Sequence, residues 1–546
     1  MALKLLPVLG AMAWLVACGG GGSSGNNSEP VTVGPVILSV LDSLPTDGAV
    51  AVRPQIGVIN LAHPGFDDLN MNYTGDCTVG ALTHRALEDM SSDAFNRLVE
   101  HHISCNPLHE NSQLSVTVTG RRGGGSATGD DYEVRLLAST GLSRPSSMSI
   151  DDSVMLPAET LATLVSAYLG TQLVADLELP LSSVTLIKPL IQELVADTWP
   201  NLTMPFLPNP VMARRVRYVS QNPNGEVSDQ LSGLIVVPEV AAGFVPRDRV
   251  VMVLHSTGVT PSDLDPADAW YLIAAMLASR GYVVVVPDNW GRGATSLDQE
   301  TYLLGSRTAM NARDFLLAAL NDPAVVPLLA GSGSQVALVG YSQGGHSTLA
   351  LWRLFKMSQD DITIREVFTG GGPYNLYQTF RGVVVRQDNT CDDGNYCRLV
   401  DEAVALPFAL DRILPGMLSY TTTGLSERDI VQGPRFRRSF VRGFLDNERD
   451  YDALKQLLQL NSYTNIISTE LAGSAEFFLY HSSFDRLVPY QNQTDLRAVL
   501  VDYPVHALTG LCNGPTYETI FNLTSQVGVL HGLCGIAMMN DLLGRL

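Results

Sequence analysis

Residues 335–357 read QVALVGYSQGGHSTLALWRLFKM, and this stretch decides the fold. Residues 336–339 form a short apolar run typical of a buried strand, and the apolar residues of 349–355 recur at helical spacing. Between them, Gly340 and Gly344 flank Ser342 on a tight turn, where a Cβ at either glycine would meet the neighbouring backbone. A serine on such a strand-turn-helix has its hydroxyl exposed at the strand's end. The pattern predicts a nucleophile rather than an ordinary turn serine.

Length and charge narrow the classes of function. A chain of 546 residues is long enough for two or three domains, and an apolar share of 45% is sufficient to build their cores. The 35 basic residues are outnumbered by 55 acidic ones, which gives a net charge of −20. Because phosphate binding needs clustered lysines and arginines, nucleic acid is excluded as the expected partner.

The N-terminus predicts export. Lys4 is followed by an apolar run over residues 5–17, which is too short to span a bilayer and is typical of a signal peptide. Its end, LVAC over residues 15–18, resembles the lipobox of bacterial lipoproteins, which implies a lipid on Cys18. Gly19 after that cysteine resembles the outer-membrane sorting pattern. An ordinary secretory signal with a chance cysteine is the alternative. The expected location is the bacterial cell envelope, lipid-anchored and at the outer membrane.

The other six cysteines suit an oxidising compartment. They fall into three local pairs, and proximity favours a disulfide within each, although six cysteines allow 15 connectivities. No pair has the two-residue spacing of a metal site, and neither a metal nor a cofactor is predicted. The candidate disulfides are Cys77–Cys105, Cys391–Cys397 and Cys512–Cys534.

Two regions precede the catalytic part of the chain. Residues 19–34 begin as a Gly/Ser/Asn-rich tether, and residues 35–146 contain short β-type runs that predict a small antiparallel sandwich. Residues 44–54, LPTDGAVAVRP, resemble the opening of bacterial Ig-like domains, although residues 77–105 are predicted to be more helical than that family. Residues 147–205 predict a connector of two amphipathic helices, packed on the catalytic domain in preference to lipid.

From residue 206 to residue 546, strands and helices alternate. A hairpin turning at residues 222–225 leads into a predicted parallel sheet covered by helices on both faces. This α/β order resembles the α/β-hydrolase fold of secretory lipases and carboxylesterases. Residues 377–471 interrupt the pattern where such hydrolases carry a cap. The apolar residues of 404–418 are expected to form either an acyl-binding wall over the serine or helices packed on the sheet and loops beneath.

The resemblance implies an acid and a base downstream of Ser342. Residues 481–489, HSSFDRLVP, resemble the family's acid loop and make Asp485 the predicted acid, the alternative being a solvated carboxylate paired with Arg486. His531 is the preferred base because it lies in a predicted loop before a final helix. His506 is less favoured because it lies inside the predicted last strand.

The same resemblance implies two oxyanion donors. One is the backbone N–H of Gln343, the residue after the nucleophile. The other lies in the loop His255-Ser256-Thr257-Gly258, where Thr257 is preferred to Ser256. The predicted function is hydrolysis of carboxylic esters, including small-molecule or lipid esters, through an acyl-enzyme on Ser342. A serine peptidase or amidase and a non-catalytic surface-binding lipoprotein remain the alternatives.

Overall fold

The computed structural model describes most of the chain. It covers residues 148–546 except 178–180, 240–244, 246, 330–334, 359, 392–394, 422, 466–473 and 525–527; before residue 148 it covers 39–44, 56–63, 68–74, 77–91, 97–105, 113–121 and 134–139. The predicted signal peptide with Cys18, the tether and most of the Ig-like opening motif lie outside the described residues. Within the described residues, no helix combines the length and the apolar character that crossing a membrane requires.

The N-terminal region is made of antiparallel strands. One sheet has the order β1-β2-β5-β4 and the other the order β3-β6-β7. The prediction of helix within residues 77–105 is wrong, because both flanks of that segment are long paired strands; cross-strand pairing outweighs the local helical pattern. Cys77 lies directly opposite Cys105 in this pairing. The strands are β1 Ser39–Leu44, β2 Ile56–His63, β3 Asp68–Thr74, β4 Cys77–Ala86, β5 Arg97–Cys105, β6 Gln113–Arg121 and β7 Val134–Ser139.

A nine-stranded mixed sheet forms the centre of the fold, with the order β18-β17-β14-β13-β11-β12-β10-β9-β8. The strands that come first in the chain pair antiparallel: β10 pairs with β9 and with β12 in this way. The pairs among β11, β12, β13, β14, β17 and β18 are parallel, as the sequence predicts. Strand β8 was not predicted; it forms the edge of the sheet beside β9, and most of its side chains are exposed. The remaining strands are β8 Met148–Leu156, β9 Val211–Gln221, β10 Val227–Pro238, β11 Val250–Leu254, β12 Val283–Pro287, β13 Gln335–Tyr341, β14 Thr363–Gly370, β15 Val431–Gln432, β16 Arg435–Phe436, β17 Glu476–Tyr480 and β18 Val505–Ala507.

Helices cover both faces of this sheet. They are α1 Ala158–Ala167, α2 Leu173–Asp176, α3 Leu181–Thr198, α4 Pro200–Thr203, α5 Ala269–Ser279, α6 Gly305–Leu320, α7 Gln343–Met357, α8 Leu376–Asp388, α9 Asn395–Leu399, α10 Glu402–Phe408, α11 Leu414–Ser419, α12 Glu427–Ile430, α13 Arg438–Leu445, α14 Asp452–Leu460, α15 Gln491–Val499, α16 Pro515–Thr524 and α17 Gly528–Arg545. The N-cap carboxylate of Asp268 begins α5 by accepting from the backbone of Trp270 and Tyr271.

Alternation along the central strands divides the core in two. In β13, Ala337 and Val339 pack with α5 and α17, whereas Val336 and Leu338 pack with α6 and α7. This is the period of two expected for a strand buried on both faces. Helices α1 and α3 of the predicted connector share the first of these cores, so they pack on the sheet domain.

The insertion predicted at residues 377–471 is helical. Helices α8–α14 and the short hairpin β15–β16 enclose their own apolar core, in which Ile413, Leu414 and Met417 are buried. The hypothesis of a single apolar wall over residues 404–418 is therefore only partly correct, since these three side chains pack within the insertion rather than towards the sheet edge. The disulfide Cys391–Cys397, predicted from proximity, ties α9 to the end of α8.

The N-terminal strands are connected to this insertion by the segment that follows β4. The backbone N–H of Glu88 donates to Gln459 at 2.7 Å, and the Gln459 amide donates back to the Glu88 carbonyl at 2.9 Å. Ser91 donates twice to the Asp452 carboxylate, from its backbone N–H at 3.1 Å and from its hydroxyl at 2.6 Å. Leu87 enters the apolar core of the insertion. Helix α14 is therefore held on one side by the N-terminal region.

Candidate active site

Ser342 lies on a strained turn between β13 and α7. Its φ of 58° and ψ of −120° are rare for a residue with a Cβ, and such strain persists where the surrounding structure enforces it. The neighbouring backbone explains the glycines, because a Cβ on Gly344 would collide with the carbonyl of Leu254, and one on Gly340 with the carbonyl of Gly344. The serine is 6% exposed. Strand, turn and helix thus place the hydroxyl at the carboxyl end of the central strand.

Asp485 is fully buried in the loop after β17. Its Oδ1 accepts from the backbone N–H groups of Leu487 and Val488, both at 3.0 Å. Its Oδ2 lies 2.6 Å from His531 Nδ1 and 3.4 Å from His481 Nε2. Burial alone would raise the pKa of this carboxyl, but the charge on His531 and the hydrogen bonds from both histidines hold the pKa well below its usual range. Asp485 is therefore an ionised buried group and not a solvated loop carboxylate.

His531 lies in the first turn of α17. The prediction of a loop at this position is wrong: the apolar residues before and after His531 continue one helical pattern, and the helix begins at Gly528. The disulfide Cys512–Cys534, again as predicted, holds the same turn to the segment after β18. The carbonyl of His531 accepts from the Tyr341 hydroxyl at 2.7 Å, which ties the histidine to the residue before Ser342. A helix holds the imidazole more rigidly than a loop.

The outer nitrogen of His531 is available for chemistry. His531 Nε2 is buried and has no hydrogen-bond partner among the described residues. With Nδ1–H donated to Asp485, Nε2 is the ring nitrogen left to exchange a proton with the serine. His531 and Ser342 line the same cleft. The structure therefore brings the three predicted triad residues to one end of the sheet.

His506, the less favoured base, lies elsewhere. It is on β18, where its side chain is 45% exposed and its Nε2 lies 2.6 Å from Glu476. Its ring stacks on Phe478, with the ring centroids 4.8 Å apart. The other histidines near the serine have structural contacts: His346 Nε2 lies 2.8 Å from the Asn461 carbonyl, and burial lowers the pKa of His346 to about 4.

The two predicted oxyanion residues adjoin the nucleophile. Gln343 is the first residue of α7, and its side-chain amide donates to Glu300 at 2.5 Å. In the sheet Leu254 pairs with Gly340, so the loop after β11 begins beside the serine turn. In that loop, the Ser256 hydroxyl donates to the Tyr341 carbonyl at 3.0 Å. The Thr257 hydroxyl lies 2.7 Å from the Tyr302 hydroxyl.

The cleft above Ser342 has a volume of about 1130 Å³. Its walls come from the loop after β11, from the turn between α1 and α2 and from α2 itself, from α10 of the insertion and from α17. The insertion contributes Val404, Pro407 and Phe408, which form an apolar wall beside the serine. Among the described residues, the insertion predicted at 377–471 reaches the cleft only through residues 401–412.

The lining of the cleft is acidic. Apart from His531, the only basic side chain in the described lining is Arg412, and Asp263 of the lining pairs with Arg215 at 3.1 Å. Burial raises the pKa of Asp268 to about 6. The aspartates of the lining are Asp176, Asp263, Asp265, Asp268, Asp401 and Asp411.

Three residues with contacts to the site were not assigned roles from the sequence. His481 was part of the acid-loop motif without a function, and its Nε2 lies between Asp485 and the carbonyl of Val488. Glu300 and Tyr302 lie in a loop whose sequence has no motif. The available signal was weak: Tyr302 begins the apolar run Tyr302-Leu303-Leu304 that follows a polar loop.

Solved structures with similar folds include three hydrolytic proteins. A putative hydrolase from Legionella pneumophila is 17% identical with a TM-score of 0.49, covering 72% of this chain and 97% of its own. The rice cell wall degrading esterase LipA from Xanthomonas oryzae is 17% identical with a TM-score of 0.45, covering 70% and 96%. Candida antarctica lipase A is 18% identical with a TM-score of 0.37, covering 54% and 71%. Similarity at this level carries no information about the substrate of this chain.

No curated protein matches the sequence. The match to a family model runs from the first residue of β11 to just beyond β18 and includes most of the site. The matched part includes Ser342, Asp485 and both oxyanion segments, whereas His531 lies after it. Residues 250–508 match the alpha/beta hydrolase family, and the sheet, the serine turn and the helices around them form an α/β-hydrolase fold.

Proposed function

We propose that the protein is a serine hydrolase that cleaves carboxylic esters, as a carboxylesterase or lipase, through an acyl-enzyme on Ser342. One observation carries the proposal: Ser342, on its strained turn, lines the same cleft as His531, whose Nδ1 lies 2.6 Å from the buried carboxylate of Asp485. Nucleophile, base and orienting acid in this arrangement are the parts that acyl transfer needs.

Each group has one role in the reaction. The Ser342 hydroxyl attacks the ester carbonyl while His531 Nε2 accepts its proton, and the same proton then passes to the departing alcohol. Asp485 keeps Nδ1 protonated and stabilises the imidazolium that forms. Water, deprotonated by His531, attacks the acyl-enzyme and releases the acid. The buried Nε2 of His531, which has no hydrogen-bond partner in the described part of the chain, supports this assignment.

The negative oxygen of the tetrahedral intermediate needs donors. We assign these to the backbone N–H of Gln343 and to the loop after β11, with Thr257 preferred to Ser256. The pairing of Leu254 with Gly340 supports the second assignment, because it starts that loop beside the serine turn. Losing one donor costs on the order of a hundredfold to a thousandfold in turnover.

The cleft indicates the kind of ester. Val404, Pro407 and Phe408 offer an apolar surface for an acyl chain, and the surrounding aspartates disfavour a substrate that is itself negative. Hydrolysis produces a carboxylate in this acidic cleft, and repulsion favours its departure. The proposed substrate is therefore an uncharged ester with an apolar acyl group, and it includes neutral lipid esters.

Replacement of Ser342 tests the proposal. Ser342→Ala should lower the hydrolysis of a p-nitrophenyl ester by about a millionfold, while the thermal unfolding midpoint stays near that of the wild type. Ser358→Ala, at the C-terminal end of the same helix, is the matched control and should retain full activity. Faster cleavage of an aminoacyl amide than of the ester would favour the peptidase alternative. Full ester hydrolysis by Ser342→Ala would refute the assignment.

We also propose that Cys18 carries a lipid and anchors the protein in the bacterial envelope, at the outer membrane. The lipobox-like sequence before Cys18 and the short apolar run support it. Mass spectrometry of the mature N-terminus should find a lipidated cysteine, and Cys18→Ser should move the protein from the membrane to the soluble fraction. An unmodified N-terminus cleaved at another position would contradict the anchor.

A further inference from the structure

One segment contacts both residues assigned to the oxyanion site. Glu300 and Tyr302 lie in the loop between β12 and α6, 6% and 1% exposed. Glu300 accepts from the side chain of Gln343, and Tyr302 lies within hydrogen-bond distance of Thr257. Gln343 and Thr257, the two residues assigned to the oxyanion site, are thus held by Glu300 and Tyr302, which are two positions apart in the chain.

The segment is itself fixed in place. The second carboxylate oxygen of Glu300 accepts from Arg292 at 2.9 Å, and Thr301 donates its backbone N–H to the Trp290 carbonyl at 3.2 Å. Gly291, with a φ of 87°, allows the closest approach, because a Cβ there would collide with the backbone of Glu300. A rigid segment of this kind can impose a position on its hydrogen-bond partners.

Tyr302 also contacts the helical insertion. Its ring meets Phe408 edge to face, with the centroids 5.7 Å apart, and Phe408 is part of the apolar wall of the cleft. Helix α11 packs so closely on the other side that a Cβ on Gly416 would lie 2.6 Å from the Tyr302 carbonyl oxygen. The hydroxyl of Tyr302 points to the oxyanion loop while its ring is held by the insertion.

We propose that Tyr302 is a positioning residue of the oxyanion site: its hydroxyl holds the loop residue Thr257, and its ring makes that position depend on the seating of the insertion through Phe408. The proposal rests on the proposed function. It predicts that the insertion influences turnover as well as substrate binding. Oxyanion donors act at short distances, so a loop displaced by a few tenths of an ångström stabilises the transition state less.

A double-mutant cycle tests the link to Thr257. Tyr302→Phe removes only the hydroxyl, and Thr257→Val removes its partner while keeping the shape and the backbone N–H. Each should lower kcat by about tenfold and leave KM within about twofold, because the ground state does not use the oxyanion donors. The double variant should lose no more than either single variant. Tyr396→Phe, a buried tyrosine whose hydroxyl bonds Asp495 away from the cleft, is the matched control and should keep kcat.

The outcomes separate positioning from a structural role. The proposal would be overturned if the loss of kcat in the double variant were the product of the two single losses, or if Tyr302→Phe left kcat unchanged. If Tyr302→Phe does not fold, variants at Thr257 test the proposal without it. Thr257→Ser keeps the hydroxyl and should retain kcat, whereas Thr257→Val should not. Loss of activity in Ser342→Ala together with an additive cycle refutes the positioning role alone, whereas full activity in Ser342→Ala refutes the proposed function and this inference with it.

The link to the insertion has its own cycle. Phe408→Ala should lower kcat in the wild-type background by several-fold more than in the Tyr302→Phe background, where the hydroxyl that conveys the contact is gone. KM should rise equally in both backgrounds, because Phe408 also lines the cleft. An identical loss of kcat in the two backgrounds would show that Phe408 acts on the substrate alone and would overturn the coupling.

Discussion

His531 Nδ1 lies 2.6 Å from Asp485 Oδ2, and this pair joins the loop after β17 to the last helix of the chain. Asp485 belongs to the loop after β17, whereas His531 belongs to the last helix, 46 residues later. The carboxylate is fully buried and the histidine is 8% exposed, so their interaction is little screened by solvent. The relationship fixes which imidazole nitrogen faces the serine.

Asp485→Asn should leave the fold intact and lower kcat by roughly ten-thousandfold, because the amide no longer selects the tautomer with the proton on Nδ1. Steady-state kinetics with a p-nitrophenyl ester measure the loss. Asp541→Asn is the matched control. Asp541 is likewise a hydrogen-bond acceptor, for the buried hydroxyl of Tyr480 at 2.8 Å, but it is not among the described residues that line the cleft. Similar losses in the two variants would show that the effect is structural.

His531→Gln and His506→Gln compare the two candidate bases directly. We expect the first to lose nearly all hydrolysis and the second to retain it, because His506 lies on the edge strand β18 and pairs there with Glu476 of β17. Rates should be normalised to folded protein by circular dichroism. A variant at His506 that is as inactive as the one at His531 would remove the basis for the assignment.

The charge of the cleft predicts selectivity among esters of similar length. The p-nitrophenyl monoester of succinate carries a carboxylate, and at low ionic strength its kcat/KM should be about tenfold below that of p-nitrophenyl butyrate. The reason is that the lining, as far as the structure describes it, holds six aspartates and a single arginine. Salt should reduce the difference by screening the exposed carboxylates. Equal rates at low salt would contradict it, and Asp411→Asn should narrow the gap.

Asp268 predicts a pH dependence of stability. Burial raises its pKa to about 6, so the folded state binds this proton more tightly than the unfolded state does. The resulting stability is complete below the unfolded pKa near 4 and declines as the pH rises through 6, by about 3 kcal/mol in total.

Asp268→Asn removes that titration while keeping an oxygen to cap α5. Its thermal midpoint, compared with that of the wild type, should be relatively higher at pH 8 than at pH 4.5. Thermal melts at the two pH values provide the measurement, with Asp265→Asn, an exposed neighbour in the same loop, as the control. A difference that does not change with pH would show that Asp268 is ionised without cost in the folded state.

The sequence predicted the sheet region well because its signals are local and strong. Apolar runs bounded by turns indicated β11, β12, β13 and β17. The serine turn between β13 and α7 requires glycine for steric reasons, and the glycines can be recognised in the sequence. The acid loop was recognisable for a similar reason: Asp485 precedes Leu487 and Val488, whose backbone N–H groups it accepts.

The errors arose where distant parts of the chain decide the structure. Strands β4 and β5 were read as helical because their pairing, with Cys77 opposite Cys105, is not visible in either segment alone. Strand β8 is an exposed edge strand without regular apolar alternation, and its place in the sheet depends on pairing with β9. His531 was placed in a loop before the final helix, whereas that helix already begins at Gly528.

The contacts behind the site were not predictable. Glu300 reaches Gln343 across 43 positions and Tyr302 reaches Thr257 across 45, through a loop without a motif. The docking of residues 87–91 on α14 joins segments more than 350 positions apart, so the N-terminal strands support the helical insertion.

The central claim is that Ser342 is an activated nucleophile, and covalent labelling measures this without a choice of substrate. The full-length protein is incubated with a fluorophosphonate probe, digested, and the modified peptide is sequenced by mass spectrometry. The account predicts one adduct, on Ser342, that is lost in Ser342→Ala and greatly slowed in His531→Gln. A folded wild-type protein that carries no adduct, or an adduct at another serine, would contradict it.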